Sequence, residues 1–143
     1  MIKLHCNILI AEDNPDHAEL IRDTIADCEP DIQICIKRNG EDALRFLYDQ
    51  HKQRGYLPDL VLMDIKMPRM NGIETLVAIK QDPDLRHIPV IMLSTSTNEA
   101  EMRVCIKSGA GAYLSKPLET IEFDEKIRPW LEEPHDRDSV SPT

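Results

Sequence analysis

The chain has 143 residues, of which 41% are hydrophobic and 30% are charged, the proportions of one soluble globular domain. Its 17 Lys and Arg residues stand against 26 Asp and Glu residues, and the formal net charge of -9 argues against nucleic acid or an anionic membrane as the main partner. No apolar run is long enough to cross a membrane, and no secretory leader pattern begins the chain. The cysteines form no C-x-x-C pair, so we expect free thiols in a reducing cytoplasm at Cys6, Cys28, Cys35 and Cys105.

Five apolar, β-rich runs alternate with amphipathic helical patterns along the chain. The runs cover residues 7–11, 32–36, 60–63, 90–93 and 112–115. The helical patterns begin near Pro15, Gly40, Ile73, Asn98 and Leu118. The third and fourth runs are apolar on both faces, which is typical of central strands in a parallel sheet. Strict alternation of strand and helix predicts an α/β fold in which helices cover both faces of one doubly wound sheet.

Near the end of the chain, a proline interrupts the last helical pattern, and the sequence after this pattern becomes polar. Pro129 lies inside the last helical pattern, where a proline removes a hydrogen bond and clashes with the preceding turn. We therefore expect the helix to kink or to end early, with Trp130 and Leu131 packed in a non-helical segment. Residues 134–143 are polar and are expected to form a disordered tail after a single domain that covers residues 5–133.

Polar side chains follow four of the predicted strands, at the point where each strand ends. They are Glu12 and Asp13, Asp64, Ser94 and Thr95, and Lys116. Because the carboxyl ends of parallel strands meet at one edge of a sheet, these groups are expected to converge there. Each residue alone has an ordinary explanation as a cap, a turn or a surface residue. Their arrival at one edge is what predicts a site.

Three carboxylates at one point repel one another unless a cation offsets their charge. Oxygen ligands suit Mg²⁺, which keeps several waters and is held by one or two carboxylates. A metal in that position can also bind a phosphoryl oxygen. A carboxylate such as Asp64 can then act as a nucleophile and form an aspartyl phosphate, with Lys116 and Ser94 contacting the phosphoryl oxygens.

Four segments of the chain resemble the receiver domains of two-component response regulators. They are Glu12-Asp13, residues 62–68 with Asn71-Gly72, residues 93–95, and residues 113–117. The resemblance covers about residues 5–133 and implies a flavodoxin-like (βα)5 fold with strand order 2-1-3-4-5. Three further segments are similar to single-domain receivers paired with bacterial phytochromes: residues 38–47, the long connection before Pro58 and residues 82–86.

The resemblance implies a role for each residue at the sheet edge. Asp64 is the expected phospho-acceptor. Mg²⁺ (or Mn²⁺) is expected to be ligated by Asp13, Asp64 and the backbone carbonyl of Lys66, with Glu12 acting through a metal-bound water. Ser94, Lys116 and Thr95 are the expected phosphoryl-binding residues.

Other residues depart from the family pattern or carry the family's switch. Ser94 and Tyr113 are the expected switch pair, and Lys116-Pro117 is expected to be a cis peptide. Ser94 often appears as Thr in this family, but Ser keeps the hydroxyl group. Thr95 stands where a smaller residue is common, and our hypothesis is that it restricts the access of water and slows the loss of the phosphoryl group.

The same resemblance implies a stand-alone signalling phosphoprotein rather than an enzyme with an external substrate. The expected partners are a sensor histidine kinase, which the closer resemblance suggests is a phytochrome, and a downstream protein target. A homodimer is expected through the fourth helix, fifth strand and fifth helix, which form the surface that phosphorylation switches. Neither nucleic acid nor membrane is expected as a partner, and the predicted location is the cytoplasm.

Several other functions fit the sequence less well. A phosphatase of the haloacid dehalogenase type needs a second Asp two residues after the first, and Lys66 occupies that position. A flavin binder needs a hydroxyl-rich phosphate loop after the first strand, where Glu12 and Asp13 would repel phosphate. The chain also lacks the P-loop motif G-x-x-x-x-G-K-[ST]. A receiver fold used only as an interaction domain stays open as an alternative.

Overall fold

The computed structural model describes residues 6–96 and 98–132. Five strands are present in this part of the chain: β1 (Ile8–Ala11), β2 (Ile34–Lys37), β3 (Leu60–Asp64), β4 (Val90–Ser94) and β5 (Ala112–Ser115). They form one sheet in the order β2-β1-β3-β4-β5, and every neighbouring pair is parallel. The predicted fold class and strand order are confirmed.

Helices follow each strand and cover the two faces of the sheet. They are α1 (Pro15–Cys28), α2 (Gly40–Lys52), α3 (Gly72–Gln81), α4 (Glu99–Lys107) and a final segment in three pieces (Thr120–Glu122, Phe123–Ile127 and Arg128–Glu132), here called α5. The apolar cluster on one face takes residues from α2, α3 and α4, and the cluster on the other face takes residues from α1 and α5. This layering is the doubly wound arrangement that the alternating pattern predicted.

The sheet's central strands are buried along their whole length, whereas its edge strands are not. All residues of β1, β3 and β4 are buried, and β2 and β5 are mostly half-buried. Burial on both faces explains why the third and fourth runs read as continuously apolar. The strands also end together, since Asp64 is paired with Leu93, and Ser94 with Ser115. The residues after them therefore share one edge.

Asparagine side chains begin four helices at or near this edge. Asn14, Asn39, Asn71 and Asn98 accept hydrogen bonds from backbone N–H groups in the first turns of α1, α2, α3 and α4. Such caps satisfy donors that have no partner within a helix. At α3 the cap is reciprocal, because the side chain of Glu74 also accepts from the backbone N–H of Asn71. The caps determine which side chains of each first turn face the sheet edge.

The prediction for the last helix was wrong in one respect. The chain stays helical to Glu132, so Trp130 and Leu131 lie within α5 and not in a non-helical segment. The helix passes Pro129 by widening into a π-helical turn just before it, in which the N–H of Arg128 donates to the carbonyl of Phe123. This five-residue spacing changes the hydrogen-bond pattern next to the residue that has no N–H to donate. The predicted tail, residues 134–143, lies outside the described residues.

Two local predictions are confirmed and one boundary is shifted. The Lys116-Pro117 peptide bond is cis. All four cysteines are free thiols, buried or half-buried. The second strand begins at Ile34 rather than Ile32, because the N–H groups of Asn7 and Ile8 both donate to Gln33 and regular pairing starts only after that point. Within residues 6–96 and 98–132, no helix combines the length and apolar character that a bilayer crossing requires.

Candidate functional site

A lysine between two carboxylates forms the centre of the site. The Nζ atom of Lys116 lies 2.5 Å from Oε1 of Glu12 and 2.9 Å from Oδ1 of Asp64. All three side chains are buried, and Glu12 is only 2% exposed. Each comes from a residue that ends a strand or follows one: Glu12 follows β1, Asp64 ends β3 and Lys116 follows β5. The predicted convergence of these groups is present in the structure.

The environment of Asp64 raises the pKa of its carboxyl group. Burial at the end of β3 is the main cause, and the negative charge of Glu12 acts in the same direction. The hydrogen bond and charge of Lys116 lower the pKa and offset part of this effect. The buried negative charge of Asp64 is therefore costly. A bound cation, or a modification that removes this charge, would stabilise the site.

His17 also contacts this centre, although sequence reasoning did not select it. Its Nδ1 atom lies 3.3 Å from Nζ of Lys116 and 3.8 Å from Oε2 of Glu12. The side chain belongs to the first turn of α1, and its backbone N–H donates to the cap residue Asn14. Once Asn14 is taken as the N-cap, the residue three positions later is in the first turn at the sheet edge. That spacing was the available signal for His17.

These residues surround an open cleft at the carboxyl edge of the sheet, with a volume of about 160 Å³. The cleft is lined by Glu12, Asp13, Asn14, His17, Asp64, Lys66, Thr95 and Lys116. Asp13, Lys66 and Thr95 are exposed, whereas Asp64 lies at the bottom of the cleft and is buried. The cleft thus unites all of the predicted site residues except Ser94 and Tyr113.

The donor groups around the cleft fit a hard divalent cation. In the part of the chain that the structure describes, no three His, Cys, Asp or Glu side chains are arranged as a complete metal cage. The predicted set does not require one, because it combines the carboxylates of Asp13 and Asp64 with a backbone carbonyl at Lys66, and Mg²⁺ commonly keeps several waters. All three residues line the same cleft. Oxygen donors of this kind select Mg²⁺ or Mn²⁺ over softer metals.

The hydroxyl group of Ser94 is engaged with α4. Its Oγ donates to Oε1 of Glu101 at 3.0 Å and accepts from the backbone N–H of Ser96 at 3.0 Å. The Tyr113 hydroxyl donates to the same oxygen of Glu101 at 2.6 Å. The Tyr113 hydroxyl also lies 3.1 Å from the Ser96 carbonyl oxygen. The predicted switch pair is therefore joined through a carboxylate that sequence reasoning missed.

The position of Glu101 follows from the cap of α4. Asn98 accepts from the N–H of Glu101, so this residue lies in the first turn of the helix. The signal in the sequence was a carboxylate three residues after an Asn cap and seven residues after Ser94. Burial, together with the hydrogen bond to Glu101, raises the pKa of Tyr113.

The cleft has the parts required for phosphoryl transfer to a carboxylate. Asp64 presents a carboxylate oxygen at the open edge of the sheet, and such an oxygen can act as a nucleophile. Lys116 is placed to bind an oxygen of a group attached there, and the carboxylates can hold a metal beside it. Two residues after Asp64, where a phosphatase of the haloacid dehalogenase type carries an Asp as general acid and base, this chain has Lys66.

Comparison with known proteins agrees with this chemistry. The family model for the response regulator receiver domain matches residues 8–128. The polar-differentiation response regulator DivK of Brucella ovis is 34% identical over 125 residues, which are 87% of this chain and 95% of DivK. DivK is thus matched over nearly its whole length.

Two solved structures are similar over almost the whole chain. The Mn²⁺-bound form of the response regulator Rcp1 is 30% identical with a TM-score of 0.74, and the match covers 95% of this chain and 98% of that one. The phosphorylated cyanobacterial phytochrome response regulator RcpA is 30% identical with a TM-score of 0.72, and the match covers 98% and 100% of the two chains. The chain therefore belongs to the response regulator receiver domains, which bind Mg²⁺ or Mn²⁺ and carry signals in phosphorelays.

Proposed function

We propose that Asp64 accepts a phosphoryl group from the phosphohistidine of a sensor histidine kinase. The observation that carries this proposal is the buried carboxylate of Asp64, 2.9 Å from the ammonium group of Lys116 at the base of an open cleft. A carboxylate oxygen attacks phosphorus, the bond from phosphorus to the donor nitrogen breaks, and the imidazole leaves. Asp13, Asp64 and the Lys66 carbonyl would hold Mg²⁺ or Mn²⁺, and Glu12 would act through a water bound to the metal. The metal supplies positive charge to the phosphoryl oxygens when it is bound.

Lys116 and Ser94 bind the phosphoryl group after transfer. Formation of the aspartyl phosphate removes the carboxylate charge of Asp64. Lys116 then keeps its ion pair with Glu12 and contacts a phosphoryl oxygen in place of the Asp64 oxygen. Ser94 donates its hydroxyl proton to a second phosphoryl oxygen. Catalysis by the chain is confined to this transfer and to the slow hydrolysis of its own aspartyl phosphate.

Thr95 is proposed to lengthen the life of the phosphoryl group. Its side chain is exposed on the rim of the cleft. Because its bulk limits the approach of water to the phosphorus atom, Thr95→Ala should speed the loss of phosphate several-fold. The measurement is the first-order decay of phosphorylated protein after removal of the donor. Thr95→Val keeps the bulk without the hydroxyl group and should decay like the wild type. An unchanged rate in Thr95→Ala would remove the proposal.

The signal is proposed to leave through α4, β5 and α5, where Ser94 and Tyr113 act as the switch. Apolar side chains on α4 are exposed there, with Val104 at 48% and Ile106 at 46%. Exposed apolar surface of this kind suits a partner protein or a second copy of the chain. Homodimerisation through this surface, and docking onto a downstream target, are both part of the proposal.

The proposed kinase is a phytochrome, because RcpA, which the chain resembles over its whole length, is a phytochrome response regulator. Receiver domains interact with histidine kinases and with downstream targets. Four free thiols suit a reducing cytoplasm as the place of action. The receiver domain is proposed to span residues 5–133, followed by a tail from 134 to 143. The net charge of -9 speaks against nucleic acid as a partner.

Intact-mass spectrometry with a small phosphodonor tests the central claim. Incubation with acetyl phosphate and Mg²⁺ should add the mass of one phosphoryl group, and EDTA should prevent the addition because the metal is removed. Hydroxylamine should reverse the gain, since it cleaves acyl phosphates. If neither acetyl phosphate nor a phosphorylated histidine kinase adds this mass, the chain is a receiver fold that serves as an interaction domain.

A further inference from the structure

One carboxylate oxygen connects three elements of the fold at the output side of the site. Oε1 of Glu101, on α4, accepts hydrogen bonds from Ser94 at the end of β4 and from Tyr113 on β5. The Tyr113 bond is 2.6 Å long, a length typical of a charge-assisted O–H···O⁻ bond. Ser94 is buried, being 4% exposed. Glu101 and Tyr113 are half-buried, so the contact lies partly out of reach of bulk water.

The number of hydroxyl protons limits what Ser94 can do. A serine hydroxyl has a single proton to donate, and here that proton is directed to Glu101. The lone-pair side of the same oxygen accepts the N–H of Ser96, which holds the hydroxyl group in this orientation. Ser94 therefore cannot donate to a group on Asp64 while it stays bonded to Glu101.

We propose that Glu101 is a positioning residue that holds the receiver in its unphosphorylated conformation. The inference rests on the proposed phosphorylation of Asp64. Glu101 and the phosphoryl group compete for the hydroxyl proton of Ser94, and the bond to Glu101 must break before Ser94 binds the phosphoryl oxygens. The strength of that bond sets part of the free-energy difference between the two conformations.

The competition also reaches the surface of α4. Asn98 accepts from the N–H groups of Ala100 and Glu101, so the carboxylate is carried by an anchored first turn. When Ser94 leaves Glu101, the hydroxyl group of Tyr113 remains as a partner of Glu101. The charge of Glu101 thereby couples the phosphorylation site to the helix that carries Val104 and Ile106.

Glu101→Gln tests the role of the charge with little change of shape. A neutral amide oxygen accepts hydrogen bonds about half as strong as those to a carboxylate, so the hold on Ser94 weakens. Binding of Mg²⁺ with beryllium fluoride, a non-covalent phosphoryl analogue, should therefore tighten by about threefold to tenfold. Isothermal titration calorimetry on the full chain measures the dissociation constant. Glu99→Gln is the matched control, because Glu99 is an exposed residue of the same helix turn, with a side chain that is 78% exposed.

Two further measurements distinguish the proposed hold of Glu101 on Ser94, here called the lock, from a general contribution of Glu101 to the stability of the fold. In a Ser94→Ala background the hydroxyl proton is absent, so Glu101→Gln should no longer change the affinity for the analogue. With 3-fluorotyrosine incorporated, the ¹⁹F resonance of Tyr113, assigned with Tyr113→Phe, should shift in resting Glu101→Gln toward its position in the analogue-bound wild type. A structural defect would appear instead as a lower stability in urea. It would produce neither the dependence on Ser94 nor the shift of the Tyr113 resonance.

Each result decides between the alternatives. Unchanged or weaker analogue binding by folded Glu101→Gln overturns the lock, as does an equal effect of this substitution in the Ser94→Ala background. A Tyr113 resonance that does not move in resting Glu101→Gln overturns it as well. Failure of the wild type to bind the analogue contradicts the proposed function itself, and the lock with it. The failure of the lock and the failure of the function are thereby told apart.

Discussion

Asp64→Asn is expected to abolish phosphorylation of the chain and, in metal-free buffer at neutral pH, to stabilise its fold. The first effect is chemical. A carboxylate oxygen is the nucleophile in the proposed transfer, and the amide of Asn has neither the negative charge nor the acyl-phosphate chemistry to replace it. The change also removes one of the two carboxylates held by Lys116. No phosphoryl group should be gained in the presence of acetyl phosphate and Mg²⁺.

The second effect follows from the pKa of Asp64. Burial, assisted by Glu12, raises this pKa above its value in the unfolded chain, despite the opposing effect of Lys116. The folded protein then holds the proton more tightly than the unfolded chain. Its free energy of unfolding therefore falls as the pH rises through the unfolded pKa and then the folded pKa, and the whole cost is present above the folded value. Asn carries no charge and removes that cost.

Thermal unfolding in EDTA over a range of acidic to neutral pH measures this cost. The melting temperature of Asp64→Asn should exceed that of the wild type by a few degrees at neutral pH. The two values should converge in acid, where Asp64 is protonated in both the folded and the unfolded state. Asp23→Asn is the control, since it removes an exposed carboxylate from the outer face of α1. A stabilisation that is independent of pH, or a loss of stability at neutral pH, would contradict the expectation.

The fold and the centre of the site were predictable because both depend on the strands. Runs that are apolar on both faces are typical of central strands of a sheet covered on two sides, and β3 and β4 have that position. Parallel strands then bring the residues that follow them to one edge. Glu12, Asp64 and Lys116 are together for this reason, whatever the details of the helices.

The contacts that sequence reasoning missed depend on helix geometry instead. His17 and Glu101 reach the site because Asn14 and Asn98 cap their helices and fix the direction of the first turn. Strand periodicity contains no information about that direction. The π-helical turn before Pro129 was missed for a related reason: a proline excludes one hydrogen bond, but the packing of Phe123 and Ile127 in the core keeps the chain helical.

Gly72→Ala is expected to lower the free energy of unfolding by about 2–3 kcal/mol and to slow phosphorylation of Asp64. Gly72 begins α3, and its N–H donates to the carbonyl of Ile65 at 2.8 Å. A Cβ atom at this position would lie 2.1 Å from the carbonyl oxygen of Asp64 and 2.9 Å from Cα of Ile65. Both are backbone atoms at the end of a buried strand, so no side-chain rotation can relieve the overlap.

In Gly72→Ala, α3 and β3 must therefore move apart, and β3 carries Asp64, the proposed phospho-acceptor. Urea unfolding, followed by the fluorescence of Trp130, measures the loss of stability, and the rate of mass gain with acetyl phosphate measures the effect on the site. Gly55→Ala is the matched control, because the nearest atom to its new Cβ, at 3.2 Å, belongs to the flexible side chain of Gln50. That variant should stay within about 0.5 kcal/mol of the wild type. If Gly72→Ala is as stable as Gly55→Ala, the close approach of α3 to β3 does not hold Asp64 in position.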